Sequence, residues 1–216
     1  MPNWCYTNFT FHGNKTEIED FHGKIKEWTS TVLEKSDFGE AWLGNIVSGA
    51  GLKDRIDSET NRIRCRGSLV FLGDIELYSE DTATFTLDTE TAWAPMGAMW
   101  SAVIEKLDYK TVGFSYMAEE CGCEVYEIYD PYGDYDDLYY VDVFIDGEDL
   151  ENDDLKKFDN VRYYASDEDL LEALQHLLKT DETNIQDLIQ KAEEYPFKSE
   201  DTYIRVHKYY YADEPY

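Results

Sequence analysis

Polar and apolar side chains alternate strictly at the start of the chain, and the pattern then changes to a helical spacing. Residues 3–13, NWCYTNFTFHG, predict a β-strand that buries one face. Residues 14–28 place apolar side chains three or four positions apart, with Asn14 as an N-cap and Glu17 three residues further on, and predict an α-helix. The chain therefore begins with a strand and a helix.

The alternation returns after a less regular stretch. Residues 29–67 are rich in glycine and small side chains, and we interpret them as a loop insertion. Residues 68–79 and 82–93 have the pattern of two further strands. Pro95 begins an apolar stripe at helical spacing, and residues 110–120 predict another strand. The order strand-helix-strand-strand-helix-strand is the split β-α-β arrangement of a ferredoxin-like sandwich with an antiparallel sheet.

The second half of the chain keeps such patterns although it is acidic. Residues 123–129 and 138–146 alternate on either side of DPYGDYDD, whose proline, glycine and aspartates favour a turn, and they predict a long β-hairpin. Two helical patterns follow. The first is capped by Ser166, and the second begins with a capping box of Thr183 and Gln186.

These elements predict one fold class and two regions. We expect an α+β protein whose ferredoxin-like core occupies residues 1–120, with the insertion at 29–67. Residues 121–216 are expected to form an acidic β-hairpin and helical extension, with a closing strand at residues 202–211, packed on that core.

The net charge of the chain restricts the range of possible functions more than the fold class does. The 216 residues carry a net charge of −28, while a hydrophobic content of 43% is ample for a folded core. The excess of acidic side chains is unevenly distributed. Residues 1–118 carry 18 acidic and 11 basic side chains, whereas residues 119–216 carry 29 acidic and 8 basic ones. Such a field repels nucleic acid and anionic membranes and favours basic partners or cations. We therefore expect no direct binding of nucleic acid or membrane.

The absence of spanning and targeting segments predicts a cytoplasmic protein. No apolar run approaches the roughly 18 residues of a spanning helix, and the N-terminus lacks the pattern of a signal peptide. The four cysteines are then most simply free thiols. A zinc site at the CGC motif of Cys121 and Cys123 would require Cys5 and Cys65 to converge on it, and small buried side chains are the favoured interpretation.

Neither a dedicated calcium site nor a catalytic site is indicated. DYDDLYYVDVFI and DGEDLENDDL both lack the ligand spacing of an EF-hand loop. The chain has no nucleophile elbow, P-loop, HExxH or GxGxxG motif, and its four histidines are scattered. We predict a non-enzymatic protein without catalytic residues, metal or cofactor.

Three arginines form the one notable basic group. Arg62, Arg64 and Arg66 alternate, so an extended backbone places their guanidinium groups on one face. Such a group can bind phosphate. The favoured interpretation is that the arginines pair with carboxylates of the protein itself, because the overall field opposes an approaching polyanion.

Three stretches together resemble a known family. MPNWCYTNFTFHG at the N-terminus, TAWAP before the second predicted helix, and FSYMAEECGCEVY after the next strand are similar to the YubB-like, phage Api-type family with a ferredoxin-like domain. The resemblance covers roughly residues 1–130 without the 29–67 insertion. It implies a ferredoxin-like fold and an origin in a phage, prophage or plasmid. It brings no activity or catalytic residues, and the chain departs from the family pattern where the acidic half begins.

The acidic half carries the main functional hypothesis. Between Lys110 and Lys156 there are 15 acidic side chains and no basic one. Carboxylates on one face of a strand lie about 6.6 Å apart, so they form a regular line of negative charge such as nucleic acid presents. Tyrosines in this region add rigid contact area. The predicted partner-binding residues are Glu124, Glu127, Asp130, Tyr132, Asp134, Tyr135, Asp136, Asp137, Asp142, Asp146, Glu148 and Asp149.

The sequence thus predicts a nucleic-acid mimic. We expect a non-enzymatic inhibitor from a phage or other mobile element that acts in the bacterial cytoplasm. It would occlude the basic groove of a nucleic-acid-binding partner, such as a host defence nuclease of the CRISPR or restriction type. Two alternatives stay open: an acidic structural or regulatory adaptor whose charge maintains solubility, and a module that binds divalent cations.

Overall fold

The alternating and helical patterns of the sequence fold into an α+β protein. The computed structural model describes residues 3–33, 36–122 and 124–215. Six α-helices and a mostly antiparallel, open sheet are present in this described part.

The chain divides into two units. Unit 1 comprises residues 1–135 and 211–216, and unit 2 comprises residues 136–210. Unit 1 therefore extends past the boundary expected at residue 120. The physical reason is that the strand after this boundary hydrogen-bonds to the last strand of the expected core.

Unit 1 is a sheet with helices after its first and fourth strands. Its elements are β1 (Trp4–Asn14), α1 (Lys15–Trp28), α2 (Leu43–Gly49), β2 (Gly67–Leu72), β3 (Glu76–Leu77), β4 (Thr82–Ala92), α3 (Gly97–Lys106), β5 (Gly113–Glu120) and β6 (Val125–Tyr129). The strand order is β6-β5-β1-β4-β2, with β3 beside β4 and a short C-terminal strand, Tyr210–Tyr211, beside β6. β1 pairs antiparallel with β4 and β5, β4 also pairs antiparallel with β2 and β3, and β5 pairs antiparallel with β6.

The predicted buried face of β1 organises the core of unit 1. Its four side chains are all inaccessible to solvent: Cys5, Thr7, Phe9 and Phe11. The Phe11 ring stacks on Phe85 of β4 at 4.9 Å and lies 5.3 Å from Trp100 of α3, measured between ring centroids. Burial of such aromatic rings on one face of the sheet contributes most of the stabilising apolar area.

The first helix begins where its capping signal predicts. Asn14 Oδ1 accepts a hydrogen bond from the backbone N–H of Glu17 at 2.9 Å, which satisfies one of the free donors of the first turn. Ile18, Phe21 and Ile25 are fully buried. The predicted helix over residues 14–28 is therefore confirmed.

The interpretation of residues 29–67 as a loop insertion is wrong in part. Its centre forms α2, whose Leu43, Ile46 and Val47 are fully buried in the core of unit 1. Two of the glycines that suggested a loop, Gly44 and Gly49, allow close packing of a tryptophan ring instead. A Cβ atom on Gly44 would lie 2.4 Å from Trp42 Cζ2, so only glycine lets the indole ring lie against the helix.

Alanine in place of a helical glycine usually stabilises a protein, but the contact between Gly44 and the Trp42 ring should make this substitution destabilising. Gly44→Ala should lower the free energy of unfolding by about 1–3 kcal/mol, because overpacking forces the Trp42 ring or the helix to move. Gly23→Ala in α1 is the matched control, since nothing lies within 4 Å of the added Cβ. It should stabilise by roughly 0.5–1 kcal/mol through helix propensity. Urea unfolding followed by tryptophan fluorescence measures both, and equal shifts would contradict the packing explanation.

The predicted long acidic hairpin does not form. β6 pairs with β5 in unit 1, whereas β7 (Tyr139–Phe144) pairs with strands of unit 2. The reason is that each strand has its own core: Ile128 of β6 is fully buried in unit 1, and Val141 of β7 in unit 2. The segment between them folds into a loop around Asp130 instead of a tight turn.

Unit 2 places helices beside a small antiparallel sheet. Its elements are β7, α4 (Asp153–Asn160), β8 (Tyr163–Tyr164), α5 (Asp167–Leu178), α6 (Ile185–Glu193) and β9 (Tyr203–Lys208), with the strand order β8-β7-β9. Ser166 caps α5 as predicted. The cap of α6 is Asn184 and not the predicted Thr183, because Asn184 Oδ1 accepts from the Gln186 and Asp187 N–H groups.

Candidate functional site

Asp130, a predicted partner-binding residue, holds the loop that follows β6. Its Oδ1 accepts hydrogen bonds from the Ser115 hydroxyl at 2.8 Å and from the Gly133 and Asp134 N–H groups at 2.8 and 2.9 Å. Its Oδ2 accepts from the Tyr135 N–H at 2.9 Å. Partial burial raises the pKa of Asp130, but these hydrogen bonds outweigh it and the net pKa lies below its ordinary value. The carboxylate is thus a structural acceptor.

The next predicted residues lie against the exposed face of the sheet. Asp134 Oδ2 is 2.7 Å from His12 Nε2 of β1, and the Tyr132 ring stacks on the His12 ring at 4.4 Å. The Tyr135 hydroxyl donates to Asn8 Oδ1 at 2.8 Å. These contacts show that Tyr132, Asp134 and Tyr135 attach the loop to β1.

The remaining candidates of unit 1 differ in exposure. Glu127 accepts a hydrogen bond from the Tyr116 hydroxyl and is partly buried. Glu124 lies in an exposed turn before β6. Of the five acidic and tyrosine positions predicted between residues 127 and 135, each has a partner inside the protein. Among the unit 1 candidates, only Glu124 is an exposed carboxylate without a hydrogen bond or ion pair in the described part of the chain.

The candidates of unit 2 form a second group. Asp136 is exposed, and burial followed by the charge of Asp136 raises the pKa of Asp137 above its ordinary value. Asp142 Oδ2 accepts from the Tyr203 hydroxyl at 3.2 Å. Neighbouring carboxylates on β7 and the segment before it therefore do not form a uniform exposed line.

Ser199 joins two acidic segments into one surface. Its hydroxyl donates to Asp146 Oδ2 at 3.0 Å, and its backbone N–H donates to Asp149 Oδ2 at 2.8 Å. Residues 146–151 thereby lie beside residues 198–201, and we call these two segments the acidic corner. It contains six carboxylates and one lysine, Lys198.

The acidic corner has buried and exposed members. Asp149 is 4% exposed and Asp146 partly buried, so both support the backbone of the corner. Four carboxylates are exposed: Glu148, Glu151, Glu200 and Asp201. Within the described residues one ion pair involves these four carboxylates: Lys198 Nζ lies 3.9 Å from Glu148 Oε2. Sequence reasoning missed Glu151, Glu200 and Asp201, because a contact across fifty residues leaves no local pattern.

Exposed carboxylates without ion pairs are common throughout unit 2. This unit carries 21 acidic and 8 basic side chains, a net charge of −13 in 75 residues. Fifteen of the acidic residues are exposed, and only Glu148, Asp153, Asp159 and Asp167 among these lie within 4 Å of a lysine or arginine nitrogen in the described structure. Acidic side chains in the first turns of α4, α5 and α6 interact favourably with the helix dipoles. Two others accept hydrogen bonds, Glu193 from the Val206 N–H at 3.0 Å and Glu194 from the Gln190 side chain at 2.9 Å.

The cysteines do not assemble a metal site among the residues described. Cys5 and Cys65 are buried, Cys121 is exposed, and Cys123 lies outside the described residues. No group of three or more histidine, cysteine or acidic side chains suited to a metal is present in residues 3–33, 36–122 and 124–215.

Burial should make two of these thiols unreactive. Burial raises the pKa of Cys5 to about 12 and that of Cys65 to about 11. A variant with Cys121→Ser and Cys123→Ser should therefore react with a disulfide reagent at pH 8 at least about 100-fold more slowly when folded than when unfolded in urea. Absorbance of the released thiol measures the rate. Fast reaction of the folded variant would contradict the burial of Cys5 and Cys65.

The three predicted arginines lie on an extended segment that precedes β2. Arg62, Arg64 and Arg66 are exposed and alternate with buried Ile63 and Cys65. β2 begins only at residue 67. The expected common face of the three arginines is therefore present without sheet pairing over most of its length.

Comparisons of the chain with protein-family models, with curated proteins and with solved structures each find no significant match. The resemblance to the YubB-like family accordingly stays a prediction. Within the described residues, none of the helices has both the length and the apolar character needed to cross a membrane.

Proposed function

We propose that this chain is a non-enzymatic, acidic binding protein that mimics nucleic acid and occludes the basic groove of a nucleic-acid-binding protein. A bacterial defence nuclease of the CRISPR or restriction type has the required chemistry, and the bacterial cytoplasm is the expected compartment. The observation that carries the proposal is the acidic corner, where four exposed carboxylates face solvent beside a single lysine.

Electrostatics explains why such a corner favours a basic partner. Glu151, Glu200 and Asp201 have no ion pair in the described part of the chain, so they lose none when a partner's lysines and arginines approach. A net charge of −28 steers a basic protein toward the chain and repels nucleic acid. Release of the counterions bound to the acidic surface and to the groove would add to the affinity at low salt.

The ferredoxin-like assignment and the mobile-element origin belong to the same proposal. The order β5-β1-β4-β2, with helices after β1 and β4, is the order that a split β-α-β arrangement predicts. It supports the family resemblance of residues 1–130. Under this proposal unit 1 is the common domain, and unit 2 supplies the surface particular to this protein.

Capture from a bacterial lysate at low and at high salt tests the proposal. We expect the tagged chain to retain a discrete DNA- or RNA-binding protein at about 50 mM salt and to release it at about 500 mM, because screening shortens the range of charge interactions. Duplex DNA or RNA should displace the captured protein. Recovery of only a diffuse set of basic proteins, such as ribosomal subunits, would contradict the proposal and favour the adaptor alternative.

A further inference from the structure

The small sheet of unit 2 has a buried face and an open face. Val141 and Val143 of β7 belong to the core that includes side chains of α4, α5 and α6. Because side chains alternate along a strand, the neighbouring positions point away from this core. They bring five aromatic side chains to the opposite side of the sheet, and we call them the aromatic face: Tyr140, Phe144, Tyr163, Tyr203 and His207.

Cross-strand contacts order the rings of the aromatic face. Phe144 and Tyr203 are partners in the register of β7 and β9, and their rings stack with centroids 6.1 Å apart. The Tyr140 ring lies between those of His207 and Tyr163, at centroid distances of 6.3 and 5.3 Å. Such pairs hold both partners in place on an antiparallel sheet. The face therefore presents two fixed groups of rings, about 13 Å apart along β7.

The rings of the aromatic face remain partly exposed. Phe144 is 50% exposed, Tyr163 42% and Tyr203 36%. A ring that only stabilises the fold gains more from complete burial, because the hydrophobic contribution grows with the apolar area removed from water. Adjacent exposed rings of this kind are typical of an interaction surface, where tyrosine and phenylalanine are enriched.

The aromatic face ends at the acidic corner. Phe144 is the last residue of β7 and lies two positions before Asp146. Tyr203 is the first residue of β9 and lies two positions after Asp201. The stacked pair is therefore at the same end of the sheet as the exposed carboxylates. Leu150 within the corner is 55% exposed and adds apolar area there.

Charged groups divide this surface into two parts. On the aromatic face, Asp142 and Arg205 are partners in the register, and their charges offset each other. The Arg205 guanidinium lies 5.1 Å from the centre of the Tyr203 ring, and Asp142 Oδ2 accepts from the Tyr203 hydroxyl at 3.2 Å. The acidic corner carries six carboxylates and one lysine. A nearly neutral aromatic part thus adjoins a strongly acidic part.

Single-stranded and duplex nucleic acids present different chemistry to a protein. In a duplex the bases are paired inside and the charged phosphates lie outside, so carboxylates alone can imitate its surface. A groove for single strands combines basic side chains along the backbone with aromatic side chains on which unpaired bases stack. A mimic of a single strand must therefore supply flat rings beside its carboxylates. Unit 2 has both on adjoining segments.

We propose that the groove occluded by this protein is one that holds single-stranded nucleic acid. Phe144 and Tyr203 take the place of unpaired bases, and the exposed carboxylates of the acidic corner take the place of phosphates. This inference rests on the proposed function and specifies its partner, whose groove carries exposed aromatic rings as well as lysine and arginine. The two rings are then the central contacts of the interface, because aromatic side chains in desolvated pockets dominate binding.

Elution of the captured partner by defined nucleic acids tests this inference. Duplex DNA competes through its phosphates alone, whereas an oligothymidine of about twenty residues also offers unpaired bases. We expect the oligothymidine to elute the partner at a phosphate concentration at least about 10-fold lower than the duplex requires. Equal or better elution by the duplex would overturn the inference and leave nucleic-acid mimicry intact. Failure to capture a discrete partner would contradict the proposed function, and this inference with it.

Matched variants locate the stacking side chains. Phe144→Thr with Tyr203→Thr should weaken binding of the captured partner about 10- to 100-fold, because two stacking contacts are lost. The loss should be equal at about 50 and about 200 mM salt, since stacking is not screened. Phe71→Thr with Tyr78→Thr makes the same change at exposed rings of unit 1 and should leave the affinity unchanged. Equal affinities of the two double variants in biolayer interferometry would overturn the assignment.

A second pair of substitutions keeps the test valid if the threonine variant of unit 2 unfolds. Phe144→Ile with Tyr203→Ile retains apolar area and strand propensity but removes the flat rings. Far-UV circular dichroism checks that this variant is folded. We expect a loss of affinity of about 10-fold or more. Wild-type affinity of the folded isoleucine variant would contradict a role of these rings in stacking.

Discussion

Replacing Asp130 by alanine should lower the free energy of unfolding of unit 1 by about 3 kcal/mol. The substitution removes the acceptor of four hydrogen bonds, one of them from the fully buried Ser115 hydroxyl. Buried donors that lose a charged acceptor cost about 1–3 kcal/mol each, although such losses are not additive. The loop that covers β1 should detach at the same time.

Tryptophan fluorescence during urea unfolding isolates this effect. All five tryptophans lie between residues 4 and 100, so their signal reports on unit 1 and not on unit 2. Asp136→Ala removes an exposed carboxylate six positions away and is the matched control. It should change stability by no more than about 0.5 kcal/mol. Equal unfolding midpoints for the two variants would show that Asp130 has no structural role.

The same carboxylate predicts a pH dependence. Because the pKa of Asp130 in the folded protein lies below its unfolded value of about 3.9, its contribution is fully present above that value. It is lost as the pH falls through the folded pKa. The difference in stability between the wild-type chain and Asp130→Ala should therefore be constant near neutral pH and shrink below about pH 4. A difference that grew with acidity would contradict this assignment.

Neutralising the exposed part of the acidic corner should weaken binding of the captured partner about 100-fold at low salt. The variant carries Glu148→Gln, Glu151→Gln, Glu200→Gln and Asp201→Asn. Each lost ion pair at an interface removes roughly 0.5–1 kcal/mol, and four such losses correspond to this change in affinity. Stability should be retained, because none of these four carboxylates accepts a hydrogen bond from the described residues and only Glu148 has an ion pair there, at 3.9 Å.

A second variant with the same net charge separates the corner from charge in general. Asp74→Asn, Glu76→Gln, Glu80→Gln and Glu105→Gln remove four exposed carboxylates from unit 1. We expect its affinity to fall less than about 5-fold, since only long-range attraction is reduced. Biolayer interferometry against the captured partner measures both variants. An equal loss would show that the corner is not the binding surface.

Local patterns in the sequence predicted most of unit 1. The alternation in β1 and β4 and the capping signal at Asn14 each depend on neighbours within a few residues, and these predictions are confirmed. Gly44 contributed to the wrong prediction of a loop. Its role is to let the Trp42 ring pack against α2, and that contact leaves no pattern in the sequence. The hairpin prediction failed because alternation identifies a strand but not its partner.

The acidic residues show the same limit. Sequence spacing cannot distinguish Asp130, which holds a loop, from Asp136, which is exposed. The acidic corner depends on the contact of Ser199 with Asp146 and Asp149. These segments are distant in the chain, so only the fold brings them together.

The most direct test of the proposed function is competition for the captured partner at constant low salt. The partner is titrated with a labelled duplex in the presence of increasing amounts of this protein, and binding is followed by fluorescence anisotropy. Occlusion of the groove predicts that the apparent Kd for the duplex rises in proportion to the concentration of this protein, with no complex that contains all three components. A stable ternary complex with unchanged duplex affinity would contradict nucleic-acid mimicry.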